Sequence, residues 1–290
     1  MTRFAVLAML SLAAGMAVPL SAQRTDTTFS VGRTGTLRVD NHQGGIRVRG
    51  WDQSSIRVRA SHPSRVRVDI TRSNDIVRLE GEATRGPARG LEYEIDVPRG
   101  WAVRIDSHTG HIETENTGGD VIVSTVNGDI IVAGVADARL ETVQGEIVVN
   151  DARGGIRASG VNRGIRVANV VGDVIAETVT GTVALENVDA ARVSASTING
   201  SIQFTGRIRD DGDYSFDTHN GDATVVIAAG ANANVTVATH GGSVESDFPV
   251  QLRGDAGRMG ELQFELGRGG ARLRIESFNG VIRILRAGQR

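Results

Sequence analysis

The stretch "TVNGDIIVAGVADARLETVQGEIVV" (residues 125–149) contains one short strand pattern twice. Its opening "TVNGDIIV" returns seventeen residues later as "TVQGEIVV". After each glycine, apolar and polar residues alternate, as they do in a strand with one face turned inward. A unit this short cannot bury its apolar face alone, so neighbouring units must stack. The stretch therefore predicts a protein built from stacked near-copies of one strand.

The repeat extends through residues 110–200, where a glycine, or Asp137 or Ala190 in its place, recurs every eight to ten residues. Glycine allows the positive φ of a tight corner between strands. We interpret the following residues as such structural turns: Gly110, Gly119, Gly128, Gly145, Gly164, Gly181 and Gly200. Identity is strongest at a spacing of about eighteen residues, which indicates two units per coil.

Each unit also carries three apolar positions that we expect to point inward. In three of the units they are filled by Val121, Val123 and Val126, by Ala138, Leu140 and Val143, and by Val174, Ala176 and Val179. Successive coils would lie one strand spacing, about 4.8 Å, apart. The sequence therefore predicts an all-β fold: a single-chain β-solenoid, or β-helix, with short parallel rungs of about nine residues and irregular capping strands at its ends.

Four regions follow from this pattern. Residues 1–22 are predicted to be a signal peptide, because a positive start is followed by an apolar run and by small residues suited to cleavage; an uncleaved anchor is the alternative. Residues 23–104 form an arginine-rich strand segment or cap, residues 105–246 the solenoid, and residues 247–290 a loop with C-terminal rungs or cap. The protein is therefore expected in the periplasm, on the cell surface or outside the cell.

Composition restricts the function classes. The chain contains no cysteine, which excludes disulfides and thiolate chemistry. Neither "G-x-S-x-G" nor "H-E-x-x-H" occurs, and aromatic residues make up only 4% of the chain, so we predict no enzyme activity and no cofactor. Nucleic acid is not an expected partner, because the strands lack interleaved stacking aromatics. Residues 105–250 hold 20 acidic side chains and 8 arginines, so the middle of the protein is acidic.

The segment "LEYEIDVPRGWAVRIDSHTGHIETENTGGDVIVSTVNGDIIV" (residues 91–132) resembles the bacterial family called "putative adhesins". The family's strand, "VP", glycine and serial rungs are matched by Pro98, Gly100, Gly110, Gly119 and Gly128. Its closing motif is matched by Gly269, Gly270, Leu273, Ile275, Asn279, Gly280, Ile282 and Ile284. The resemblance implies exported β-strand repeats whose domain has no assigned function, and the family's name implies adhesion.

Histidines are the first candidate site. His42, His108, His219 and His240 each stand two residues before a corner glycine. We expect His219 and His240 on adjacent rungs, about 5 Å apart, which is close enough to share a metal. The alternative is that these rings are ordinary packed side chains.

Acids that follow corner glycines are the second candidate site: Asp120, Asp129, Glu146, Asp173 and Asp222. In aligned rungs some of them would form a row of oxygen ligands for Ca²⁺, as in a calcium-binding β-roll. The signature "G-G-x-G-x-D" of such rolls is absent, however, and Gly-Asp is also a common turn pair.

Arginines near the N-terminus are the third candidate site: Arg47, Arg49, Arg57, Arg59, Arg65 and Arg67. On neighbouring strands they would form a basic ribbon that binds a polyanion. The alternative is cross-strand pairing with Glu92, Glu94 and Asp96.

Together these features predict an exported, non-enzymatic protein that binds an unidentified polymer or protein surface in the envelope or outside the cell, with no membrane span once the signal is removed. The alternatives are a structural protein that self-associates end to end through its terminal rungs, and a calcium-binding β-roll.

Overall fold

The computed structural model describes residues 23–249 and 261–288, so the predicted signal segment lies outside the described residues. Every regular element in the described ranges is a strand: β1 Gln23–Ser30, β2 Thr36–Gln43, β3 Ile46–Trp51, β4 Ser55–His62, β5 Val66–Ser73, β6 Ile76–Ala83, β7 Glu92–Pro98, β8 Ala102–Thr109, β9 Ile112–Glu115, β10 Val121–Asn127, β11 Ile130–Val135, β12 Ala138–Gln144, β13 Ile147–Ala152, β14 Ile156–Ser159, β15 Ile165–Val171, β16 Val174–Thr180, β17 Val183–Asp189, β18 Arg192–Asn199, β19 Ile202–Arg207, β20 Asp213–Asn220, β21 Ala223–Ile227, β22 Ala233–Thr239, β23 Ser243–Ser246, β24 Glu261–Leu266, β25 Ala271–Asn279 and β26 Val281–Arg286. Accordingly, the described ranges hold no helix that is long and apolar enough to cross a membrane.

The strands form two sheets of 13 strands each. Sheet I has the order β1-β4-β7-β3-β9-β11-β13-β15-β17-β19-β21-β26-β23, and sheet II the order β24-β22-β25-β20-β18-β16-β14-β12-β10-β8-β2-β6-β5. From β8 to β21 the chain alternates between the sheets, and each strand pairs in parallel with the strand two places further on. One strand of each sheet makes one coil, which confirms the predicted β-solenoid with two rungs per coil.

Stacking order departs from chain order near both ends. β25 lies between β20 and β22, and β26 lies between β21 and β23, so the last coil of the described chain is inserted beneath an earlier one. At the other end, β2 and β3 pair in parallel with β8 and β9. Regular parallel rungs therefore also occur within residues 36–51 and 271–286.

Antiparallel strands close most of the sheet ends. In sheet I, β4 pairs antiparallel with β7, and β1 pairs antiparallel with β4 at the end of the sheet. β5 closes one end of sheet II antiparallel to β6, and β24 closes the other end antiparallel to β22. Since these strands run against their neighbours, they end the parallel ladder at three of the four sheet ends.

The core lies between the two sheets and consists mainly of Val, Ile, Leu and Ala. Its largest side chains gather near the ends of the stack, with Trp101 and Tyr93 on one side and Phe204, Tyr214 and Phe216 on the other. The thin middle coils need only aliphatic side chains, which accounts for the low aromatic content.

The third apolar position of each unit behaves differently in the two sheets. In sheet I, a residue with positive φ interrupts the alternation, as Gly134 (φ 65°) does immediately before the buried Val135. In sheet II the alternation continues, so that Thr125 is buried and Val126 is 37% exposed. The expectation that Val126, Val143 and Val179 point inward is therefore wrong, because a threonine takes the inward place.

Candidate functional site

The turns from sheet II to the next strand of sheet I, which we call the glycine corners, share a four-residue pattern. It consists of a buried Thr or Ser, an exposed residue, a polar residue and a glycine, as in "TVNG" (125–128), "TVQG" (142–145), "TING" (197–200), "THNG" (218–221) and "SFNG" (277–280). The Thr218 hydroxyl donates to the carbonyl of Gly200 at 2.8 Å, and the Ser277 hydroxyl donates to that of Gly221 at 2.9 Å. The buried hydroxyls of Thr142 and Thr197 bond in the same way, whereas that of Thr125 has no partner among the described residues. Four of these five corners are therefore linked to the neighbouring coil by this residue.

Close approach between coils accounts for the corner glycines. A Cβ added at Gly145 would lie 1.8 Å from the carbonyl oxygen of Gly128, and one at Gly128 would lie 1.9 Å from that of Gly110. Of the seven glycines predicted as turns, only Gly110 (φ 150°) and Gly181 (φ 127°) have φ in the positive range. Steric exclusion, rather than the expected positive φ, is therefore the common requirement.

The outward-facing residue of each glycine corner stands in register with that of the next. These residues form the corner ladder, which in spatial order is His42, His108, Val126, Val143, Val161, Val179, Ile198, His219, Phe278 and His240. Eight large hydrophobic side chains are exposed in the described residues, and six of them belong to this ladder. The molecule therefore presents a single file of apolar side chains along one edge.

Aromatic rings stack at both ends of the corner ladder. His42 and His108 lie with ring centroids 5.0 Å apart and planes 1° apart. Phe278 lies between His219 and His240, with centroid distances of 4.7 and 4.8 Å. His219 and His240 are therefore not on adjacent rungs, and the expectation that they could share a metal is wrong, because β25 places a phenyl ring between them.

Carboxylates occupy many of the outward-facing places beside the corner ladder on the outer face of sheet II, two residues earlier in the chain, while Ser124, Ser159, Ser196 and Ala238 occupy the others. This carboxylate column comprises Glu80, Asp40, Asp106, Glu141, Glu177, Asp217 and Glu276. Three members contact an arginine: Asp40 with Arg78, Glu141 with Arg139, and Glu276 with Arg274. Within the described residues the other four have no arginine partner, although Arg38, Arg104 and Arg157 lie on the same face two residues before this column.

Two depressions lie between the corner ladder and the carboxylate column. The larger, towards the C-terminal end of the stack, has a volume of about 700 Å³ and is lined by Ile198, His219, Phe278 and His240 on the ladder side. The carboxylates of Asp217, Glu276 and Glu261 also line it. We call this larger depression the corner groove. The smaller, of about 430 Å³, is lined by His42, His108, Asp40, Asp106 and Glu80 at the other end of the stack.

The five acids proposed as calcium ligands are split between two edges of the solenoid. Asp129, Glu146 and Asp222 precede strands of sheet I, whereas Asp120 and Asp173 precede strands of sheet II. Within the described ranges no group of three potential ligands gathers to hold a metal ion. Asp129 and Glu146 lie on adjacent coils, but the five acids do not form one row of ligands.

Three of these acids link neighbouring coils instead. Asp129 accepts a hydrogen bond from the backbone N–H of Glu146 at 2.8 Å, and Asp173 accepts one from that of Arg192 at 3.1 Å. Asp222 accepts one from Val281 at 2.9 Å. This backbone N–H, followed by the guanidinium of Arg283, lowers the pKa of the Asp222 carboxyl.

The six arginines of the predicted basic ribbon do not share one face. Arg47, Arg49, Arg57 and Arg59 lie on β3 and β4 of sheet I, Arg67 lies on β5 of sheet II, and Arg65 immediately precedes β5. Five of them contact carboxylates: Arg47 with Glu113 (2.7 Å), Arg49 with Glu115 (3.7 Å), Arg57 with Asp26 (2.7 Å), Arg59 with Glu94 (3.2 Å) and Asp96 (3.1 Å), and Arg67 with Glu82 (2.5 Å). Polyanion binding by these arginines stays a prediction, and five of the six already form ion pairs within the protein.

Sequence reasoning identified the corner positions but missed the exposure of the ladder and the carboxylate column beside it. The signal for the ladder was the threonine that precedes Val126, Val143, Val179 and Ile198. A buried threonine at that place leaves the next residue on the outside.

Comparison with known proteins places the chain in a family. No curated protein matches it. Among solved structures, a "putative adhesin" from Bacteroides fragilis is 9% identical, with 92% of this chain and 99% of that chain covered and a TM-score of 0.41. A "putative adhesin" from Parabacteroides distasonis is 13% identical, with coverages of 91% and 98% and a TM-score of 0.35. A "putative cell adhesion protein" from Clostridium sporogenes is 11% identical, with coverages of 92% and 100% and a TM-score of 0.27.

Structural similarity at this level says nothing about function. The family match is stronger, because it spans nearly the whole described chain and confirms the resemblance to a β-repeat domain family without an assigned function. Residues 22–284 match the family "Toastrack DUF4097", and the chain belongs to that family.

Proposed function

We propose that this protein is an exported, non-enzymatic binding protein that attaches, as an adhesin does, to a component of the cell envelope or to an extracellular surface. The observation that carries the proposal is the corner ladder, which repeats one outward-facing side chain per coil over ten coils. A regular array on a rigid solenoid is suited to an extended or repetitive partner. The names of the solved proteins agree with this reading but do not support it independently.

The arrangement of the ends favours binding over end-to-end assembly. β1, β5 and β24 run antiparallel to their neighbours, so they interrupt the parallel ladder that a second copy would have to continue. Direct continuation of the parallel coils by a second copy is therefore interrupted at these three sheet ends.

Co-sedimentation tests the proposal. The purified chain is mixed with cell-wall sacculi, outer-membrane vesicles or intact cells, at low and high salt, and a sample spun alone controls for self-assembly. We expect the chain to pellet with one of these fractions and to stay in solution alone. Failure to pellet with every fraction would overturn the proposal, and pelleting alone would favour self-assembly.

A further inference from the structure

The shape of the corner ladder limits what can cover it. Its apolar members are 36–50% exposed and stand in a single file, one side chain wide. A stable protein dimer buries roughly 800 Å² on each partner, which calls for a broad patch rather than a file. A narrow, extended ligand lying along the ladder matches this shape better than a second copy of the chain.

The aromatic stack limits the chemistry of that ligand. Both faces of the Phe278 ring are covered, by His219 at 4.7 Å and by His240 at 4.8 Å. Sugar rings and cations bind to open aromatic faces, and Phe278 offers none. With 43% of its surface exposed, Phe278 presents its edge, which suits aliphatic or aromatic side chains.

The opposite wall of the corner groove selects for positive charge. Among the described residues, Glu177 and Asp217 make no ion pair with an arginine, and Asp217 lines the groove. The Ser215 hydroxyl donates to Asp217 at 2.8 Å and leaves its charge in place. The surrounding residues 105–250 carry 20 acids against 8 arginines, so the wider field also attracts a cation.

We propose that the corner groove binds an extended polypeptide segment in which apolar residues alternate with lysine or arginine. In an extended chain successive side chains point to opposite sides. One set then lies on Ile198 and Phe278, and the other meets the carboxylates of Glu177 and Asp217. This proposal rests on the function proposed above and names the chemistry of the partner.

Peptide binding to the full chain tests it. A fluorescein-labelled peptide of alternating lysine and leucine is titrated with the protein and followed by fluorescence anisotropy, beside Lys-Ser and Glu-Leu peptides of equal length. We expect the Lys-Leu peptide to bind most tightly, the Lys-Ser peptide more weakly and the Glu-Leu peptide not at all. Affinity for the Lys-Leu peptide should fall as salt rises.

Variants assign the binding to the groove. The double variant Ile198→Ser/Phe278→Ser, and separately Glu177→Gln/Asp217→Asn, should each lower the affinity about tenfold or more. Val171→Ser is the matched control, because Val171 is 55% exposed at the opposite edge of the solenoid and should leave affinity unchanged. Thermal unfolding of each variant verifies that it is folded.

Three results would overturn the inference: no binding of the Lys-Leu peptide, equal binding by the ladder variant and the wild type, or capture of a neutral chito-oligosaccharide that the ladder variant loses. If the wild type pellets with an envelope fraction but binds no peptide, this inference fails while the proposed function stands. If the Lys-Leu peptide binds and both double variants lose that binding, the corner groove is the peptide-binding site, regardless of the result of co-sedimentation.

Discussion

Replacing Gly145 by alanine tests whether close approach between coils holds the corners together. The added Cβ would lie 1.8 Å from the carbonyl oxygen of Gly128, whereas Cβ atoms essentially never come within 3.0 Å of such neighbours. The contact is with backbone on both sides, so no side chain can rotate away. The two coils must therefore separate by more than about 1 Å at this corner.

The cost follows from the hydrogen bonds that join the coils there. Gly128 N–H donates to Gln144 (3.1 Å), Ile130 N–H donates to Glu146 (2.9 Å), and the Thr142 hydroxyl donates to Gly128 (3.2 Å). At about 1 kcal/mol for each bond, losing all three lowers the free energy of unfolding by about 3 kcal/mol.

Urea unfolding followed by circular dichroism measures this change, with Gly230→Ala as the matched control. Gly230 has no atom within 4 Å of an added Cβ and no positive φ, so its replacement should change stability by less than about 0.5 kcal/mol. Equal stability of the two variants would refute the argument that steric exclusion between coils requires the corner glycines.

Three further substitutions, two of them with a matched control variant, test the polar contacts of the solenoid. Thr218→Val removes the hydroxyl that links two coils and should lower the free energy of unfolding in urea by about 1 kcal/mol. Thr114→Val removes a buried hydroxyl that has no partner and should leave the free energy of unfolding unchanged. Equal losses of stability in the two variants would contradict this assignment. Asp222→Ala should lower stability at neutral pH. The Asp222 pKa is lowered from its ordinary 3.8, so the stability contributed by the carboxylate is present above that pH and fades as the pH falls below about 3.8. If the difference in melting temperature between the variant and the wild type persists unchanged into strong acid, this role of Asp222 is rejected. Tyr214→Phe should cost about 1–2 kcal/mol, because the hydroxyl donates to a backbone carbonyl at 2.7 Å and accepts from a backbone N–H at 2.9 Å. Tyr93→Phe should be neutral in the same assay, since the buried Tyr93 hydroxyl has no partner and burial raises its pKa; a larger loss at Tyr93 would reverse the assignment.

The fold was predictable because its signals are local and repeated. Glycines at regular spacing and alternating apolar residues specify short strands, and their recurrence in every unit specifies stacking. The candidate binding residues were harder to predict from the sequence. The acids and arginines chosen as ligands lie on the outside of the solenoid, where a neighbouring coil supplies a partner. Arg47 illustrates this, because its partner Glu113 is a residue that pattern alone does not bring close. The repeat does bring Glu146 beside Asp129, but it is the backbone N–H of Glu146 that binds the carboxylate.

The exposure of the corner ladder depends on one residue per unit. In sheet I, Asn116, Gly134, Asp151, Asn169 and Asn187 adopt positive φ and reset the alternation, so that the following apolar residue turns inward wherever one is present. In sheet II that place is taken by Thr or Ser in every coil except those of Asn41 and Gly160, and the alternation continues and leaves the next residue outside. Asn, Asp and Gly tolerate positive φ, whereas β-branched threonine does not. The two kinds of corner can therefore be told apart in this sequence once that residue is considered.

Stacking order is the property that the repeat itself conceals. Because the coils share a similar corner pattern, that pattern by itself does not specify which coils meet. Here β25 enters between β20 and β22, which brings Phe278 against His219, 59 residues earlier in the chain. The aromatic stack and the groove beside it exist only in that order. In a solenoid of this kind, a binding column can be assigned only after the spatial order of the coils is known.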